Sequence, residues 1–206
     1  MASSVIHMCV AKKINEKLKL PLNMILLGSI APDISKHMGE TKTRSHFLTD
    51  GETVDIPRFL EKYQSQLNHP FMMGYFIHLY TDFLWDKYFI SEIVENDTIT
   101  LLNGDKVSTD LELYHKLIYH DYTNLNILLL DEYGLDLSLF YEEAVLPKLE
   151  MDEIPVEKLS VLIDYTGVII ENTKKKKDYT FNLEQIKAFI ETSSDLIYLK
   201  IREFGF

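Results

Sequence analysis

His78 and Asp82 lie four residues apart in the most apolar stretch of the chain, residues 71–85. On a helix, positions i and i+4 share a face. An imidazole and a carboxylate would therefore point the same way, into an interior of Phe, Tyr, Leu and Trp. An ionised carboxylate in such surroundings is costly unless it is paired or bound to a cation. Three more candidate ligands, His7, Asp33 and His46, stand upstream. Imidazole nitrogen and carboxylate oxygen suit a divalent ion at a hydrolytic site, zinc first, with iron, manganese or nickel compatible with the same donors. His46, His78, Asp33 and Asp82 around one dication make a locally neutral cluster, and His7 could share Asp82 with a second ion.

Each residue has a plainer reading. His7 near a terminus is a common surface histidine, Asp33 after Pro32 a common turn residue or cap, and His46 alone carries no signal. His78 with Asp82 is also what a hydrogen-bonded core pair looks like. Together the metal reading prevails, because the pair sits on an apolar face and the others sit in unpatterned stretches of the kind that supply sites. Arg44, two residues before His46, could clamp a phosphate bidentately or be a surface arginine. Tyr75, three residues before His78 on the same face, approaches the site or is simply core. One of His115 or His120 lines the pocket, protonating the leaving group or contacting phosphate, or both are partly exposed helix histidines.

The pattern of the chain predicts an all-α protein with one small hairpin, as a single domain over 1–206. Ser3 or Ser4 caps a first helix to about residue 18, and Pro21 opens a second over 22–30, which Ala31-Pro32-Asp33 ends. Residues 34–55 lack periodicity and read as a long ordered loop. A helix follows over 56–67, then a break at 68–70 and a long central helix from 71 to about 94. Asn103-Gly104 between β-prone runs predicts a two-stranded ribbon near residues 98–108. Asp110 caps a helix running to Tyr133, and Gly134 stops it. A short helix is expected over 135–146, another from Pro155 to about 172, and a last one, capped by Asn182, from 183 to about 202. Lys174 to Lys177 read as a solvated turn.

The formal charge of −11 argues against holding nucleic acid or an anionic membrane through the general field. A phosphate-ester substrate would need a site that inverts the local potential, as a dication does. One cysteine, Cys9, suits a reducing compartment. With no signal peptide and no stretch long and apolar enough to span a bilayer, the expected home is the cytoplasm.

The ordered set of His7, then Gly28 through Pro32-Asp33, then Ser45-His46-Phe47, then Gly74 four residues before His78 and Asp82 four after it, resembles the zinc-dependent phospholipase C family. That family shares its helical bundle with the single-strand-specific zinc nucleases. The resemblance covers about the first ninety residues. It implies that Asp33, His46, His78 and Asp82 hold one metal, that His7 and Asp82 hold a neighbour, and that Asp33 is the general base. The substrate it implies is a small phosphate ester or a lipid headgroup. Secreted members use the amine of a processed N-terminal tryptophan, where this chain has Met1. Members with three zincs add two histidines and a glutamate soon after the His-x-x-x-Asp motif, whereas residues 85–94 contain no histidine. One or two ions are therefore expected. Two alternatives stand beside this reading: a catalytically silent helical metal-binding or partner-binding module, and an HD-type phosphohydrolase built on His120-Asp121 with His78 and Asp164.

Overall fold

A helix that is hydrophobic on every side is satisfied only in an interior, and the central helix takes that place. In the computed structural model, which describes residues 1–142, 146–171 and 178–206, the elements run in the following order. Helices α1 (Ser4–Leu18) and α2 (Leu22–Ile30) lead into a 3-10 helix, Ala31–Met38. A minimal hairpin, β1 (Leu48–Thr49) with β2 (Thr53–Val54), precedes α3 (Ile56–Tyr63) and the central α4 (Pro70–Leu84). A π-helical turn, Trp85–Ile90, continues α4 into the short α5 (Ser91–Ile93). Strands β3 (Val94–Glu95), β4 (Thr98–Thr100) and β5 (Lys106–Ser108) are followed by α6 (Leu111–Tyr133), α7 (Leu139–Glu142), α8 (Leu159–Glu171) and α9 (Leu183–Glu203). Helix α4 packs on α1, α2, α3 and α9, and one hydrophobic core draws on α1, α2, α4, α6, α8 and α9. Among the described residues, no helix is long and apolar enough to cross a membrane.

Local chemistry explains most boundaries. Ser3 Oγ accepts from Ile6 N and starts α1. His69 caps α4, with Pro70 at its first turn, where a missing N–H costs nothing. Asp110 caps α6, and Gly134, at φ 54°, ends it in the left-handed conformation. Asn182 and Gln185 form a capping box at the head of α9.

The expected all-α architecture and the hairpin near 98–108 are present, and the chain adds strand content. β3 pairs antiparallel with β4 to make a three-stranded sheet, and β1–β2 is a second, separate sheet. The stretch expected as a loop from residue 34 begins inside the 3-10 helix, so Asp33 sits in a helical turn rather than at a loop mouth. Pro32 ends the α-helix without ending helical winding, because a proline at the head of the next helix forfeits no hydrogen bond there. The basic run Lys174 to Lys177 and the far end of the helix expected over 135–146 lie partly or wholly outside the described residues.

Candidate metal centre

The centre begins with two glycines. A Cβ on Gly74 would lie 2.1 Å from the Ile25 carbonyl oxygen, and one on Gly28 would lie 2.0 Å from the Phe71 carbonyl oxygen. Only glycine at both positions lets the main chains of α2 and α4 touch. That approach, one turn before His78, brings the Ser29 carbonyl to 2.7 Å from His78 Nδ1. A carbonyl can only accept, so Nδ1 carries a proton, and in the neutral ring a metal ligand requires, Nε2 presents its lone pair.

His46 is fixed by a different device. The turn over residues 42–47 closes with His46 N on the Lys42 carbonyl at 2.8 Å, and Tyr75 Oη donates to the Ser45 carbonyl. Ser45 Oγ donates to the Lys42 carbonyl at 3.3 Å and lies 2.9 Å from His46 Nδ1. Ser45 Oγ also lies 3.0 Å from Ser35 Oγ; when its own proton goes to the Lys42 carbonyl, the His46 proton sits on Nδ1 and Nε2 is bare. The two Nε2 atoms stand 3.1 Å apart; with both rings protonated on Nδ1, two lone pairs face each other there.

Two carboxylates complete the group. Asp82 Oδ1 accepts from Ala2 N at 2.8 Å. Its Oδ2 has no hydrogen-bond partner among the described residues and lies 3.3 Å from His78 Nε2 and 3.7 Å from His46 Nε2. Asp33 Oδ2 accepts from Ser4 Oγ at 3.2 Å. Its Oδ1 is 3.6 Å from His46 Nε2. Lys36 Nζ and Lys42 Nζ lie 2.9 and 3.1 Å from that same oxygen, yet neither is aligned for a hydrogen bond, and among the described residues the oxygen has no directional partner. His7 stacks on His78 with ring centroids 3.7 Å apart. Its Nε2 is 3.3 Å from Asp82 Oδ1, and both of its ring nitrogens lack a hydrogen-bond partner among the described residues.

All five side chains are at most 2% exposed. Burial pushes His7 down to about 4, helped by His78, and pushes His46 down to about 3, so both imidazoles are neutral near pH 7. Burial alone would raise Asp33, but Lys36, Lys42 and the contact with His46 hold it well below the usual carboxylate range. Asp82 is likewise held low against burial, by His7 and His78.

These atoms fit a divalent cation. Bonds of about 2.1 Å to one ion place neighbouring ligand atoms roughly 3.0–3.4 Å apart in octahedral or tetrahedral geometry. The observed separations are 3.1 and 3.3 Å on the His78 edges and 3.6 and 3.7 Å on the His46–carboxylate edges. Two sets of three, His46-His78-Asp82 and His7-Asp33-His78, each bring ligand atoms within 4.8 Å of one another. Asp33 and Asp82 fall in different sets that share His78, so the four ligands expected from the sequence for a single ion divide between two overlapping groups; carboxylate oxygens without partners beside imidazoles already oriented by their other atoms are what a bound cation would resolve.

A cavity of about 260 Å³ is walled by residues in contact with the cluster, Ala2, Ser4, Lys36 and Lys42, together with Tyr119 and Tyr122, while the five cluster side chains lie behind that wall. It shares Lys36, Lys42, Tyr119 and Tyr122 with a wider cleft of about 740 Å³, whose rim includes His115, Tyr114 and Asp86. His115 borders only the wider cleft and not the inner cavity. Arg44, Tyr75 and His120 do not line either space. Arg44 is exposed and donates to the Asp152 carbonyl, because the 42–47 turn sends it outward while His46 turns in. Tyr75 is core, stacked on Phe59 at 5.7 Å, and acts on the centre through Ser45. His120 packs on Tyr179 at 4.8 Å. Asp121 accepts from the backbone N–H of Tyr179, Thr180 and Phe181 and from Thr180 Oγ1, and Asp164 is exposed. The HD-type arrangement is therefore not assembled. The pocket cations that the sequence reading missed are Lys36 and Lys42, four and three residues from Pro32 and Ser45 in a stretch without periodicity.

No protein-family model matches the chain, and neither the curated proteins nor the solved structures searched contain a match.

Proposed function

We propose that this protein is a metal-dependent hydrolase of phosphate esters, with Asp33, His46, His78 and Asp82 holding one divalent ion and His7 placed beside Asp82 for a neighbour. What carries the reading is a pair of imidazole Nε2 atoms 3.1 Å apart beside a buried carboxylate oxygen that has no hydrogen-bond partner among the described residues. Support also comes from the ordered likeness to the zinc-dependent phospholipase C family and from a helical fold consistent with it.

When bound, the ion would lower the pKa of water and neutralise charge on a phosphoryl oxygen. The chain's own residues do the rest. The Ser29 carbonyl and the Ser45 hydroxyl orient the two imidazoles. Asp33, ionised and with its Oδ2 toward Ser4, takes a proton from the attacking water. Lys36 and Lys42 draw the anion into the cavity. His115, at the rim of the wider cleft beyond that cavity, gives a proton to the leaving alkoxide.

A second reading has one observation on its side: the cluster is closed, and closed sites suit structural ions. In that reading the protein is a helical module stabilised by its metal. The deciding experiment is chelation, metal re-addition and turnover of p-nitrophenyl phosphate and bis(p-nitrophenyl) phosphate. Activity that vanishes with chelator and returns with metal supports the hydrolase. Full metal occupancy with no turnover of either ester leaves the structural module. Hydrolysis unaffected by exhaustive chelation overturns both.

A further inference from the structure

We infer that the cavity beside the cluster selects phosphomonoester dianions over phosphodiesters, through Lys36 and Lys42 acting with the bound ion. This rests on the hydrolase reading above and deepens it. The two ammonium groups approach one oxygen, Asp33 Oδ1, at 2.9 and 3.1 Å without hydrogen-bond alignment. That oxygen is also a donor to the metal cluster, 3.6 Å from His46 Nε2. An ion drawing on its lone pair weakens the hold on both lysines, and both already line the cavity.

Charge balance then names the guest. Asp33 and Asp82 contribute two negative charges, and Lys36 and Lys42 offset them; Asp86 is paired with the Met1 amine at 2.8 Å. An imidazole that ligates the ion is neutral by necessity. One dication therefore leaves the site with two uncompensated positive charges. A phosphomonoester dianion closes that balance, whereas a diester monoanion leaves one charge unpaired in a poorly solvated place. The walls suit a small organic group: Tyr119 and Tyr122 border the inner cavity, and Tyr114 and Ile118 the cleft outside it. A volume of about 260 Å³ admits a phosphate and a short organic body rather than a polymer chain.

The test is binding of inorganic phosphate, with dimethyl phosphate as the monoanionic comparison, to protein loaded with one equivalent of metal and to the chelated protein. Calorimetry reads the affinity, and elemental analysis reads the metal. The loaded protein should bind phosphate about tenfold or more tighter than dimethyl phosphate, and the chelated protein should lose most of that affinity. Lys36→Gln and Lys42→Gln should each weaken phosphate binding about tenfold while retaining the metal. Equal affinity for the two anions by wild-type protein overturns the inference without recourse to any variant. So do variants that keep both their metal and wild-type phosphate affinity. Failure of the wild-type protein to take up any metal removes the hydrolase reading and this inference with it.

Discussion

Replacing Asp82 by asparagine should move stability in opposite directions with and without metal. Asp82 is fully buried, and one N–H, that of Ala2, serves Oδ1. Its Oδ2 has no partner among the described residues, and the imidazoles of His7 and His46 beside it are neutral near pH 7. In chelated protein the carboxylate stays ionised, against its burial, only through His7 and His78 and keeps one oxygen without a hydrogen-bond partner among the described residues, whereas the amide keeps its volume and the Ala2 hydrogen bond. Relief of an unsatisfied charged group is worth about 1–3 kcal/mol, or a rise in melting temperature of roughly 2–10 °C for a chain of this size. With metal in excess the order reverses. A ligand present at about a thousand times its dissociation constant adds about 4 kcal/mol to the wild-type protein, and the Asp82→Asn variant forfeits most of that. Thermal melts of both proteins, with chelator and with metal, read all four states. Suppose the substitution instead destabilises the chelated protein by about 3 kcal/mol or more and metal shifts neither melt. Asp82 is then one half of a buried ion pair with a protonated histidine, and no cation is needed to hold it.

Gly74→Ala places a methyl 2.1 Å from the Ile25 carbonyl; it should cost about 1–3 kcal/mol in a urea melt and pull the Ser29 carbonyl off His78, lowering metal affinity. A wild-type melt would show that the two main chains do not touch. Ser45→Ala removes the hydroxyl 2.9 Å from His46 Nδ1 and should weaken metal binding about 10–100-fold in competition with a chromogenic chelator; unchanged affinity would mean that Ser45 does not set the tautomer. The chelated protein should lose stability as pH falls. His7 and His46, lowered to about 4 and about 3, resist protonation when folded, while the unfolded chain takes up protons near pH 6.5. Their contribution is therefore intact above about pH 6.5 and falls by about 2 kcal/mol per residue on reaching pH 5. A urea midpoint that is flat over that window would mean that the two rings are protonated in the fold.

How much of this was legible in the sequence depends on the kind of signal. His78 and Asp82 were readable because helical spacing inside an apolar run fixes both direction and burial. His7, Asp33 and His46 gained meaning only with that pair as an anchor. The Ser29 carbonyl was not readable, since a main-chain acceptor has no residue signature; its trace is the pair of glycines that admits it. Arg44 misled because proximity in sequence was taken for proximity in space, and a single turn separates it from His46. Asp121 misled because its true partners, the amides after residue 178, are far along the chain. Lys36 and Lys42 were hidden in a polar stretch where nothing distinguishes a pocket cation from a solvated one.

The contact between Gly28 and Gly74 settles where the His78 ring stands. Because α2 and α4 meet through their main chains, the distance from the Ser29 carbonyl to that imidazole is set by rigid peptide atoms and not by side chains able to repack. A cation that took His78 as a ligand would meet a ring whose swing is already arrested, and would give up little ordering entropy in binding it.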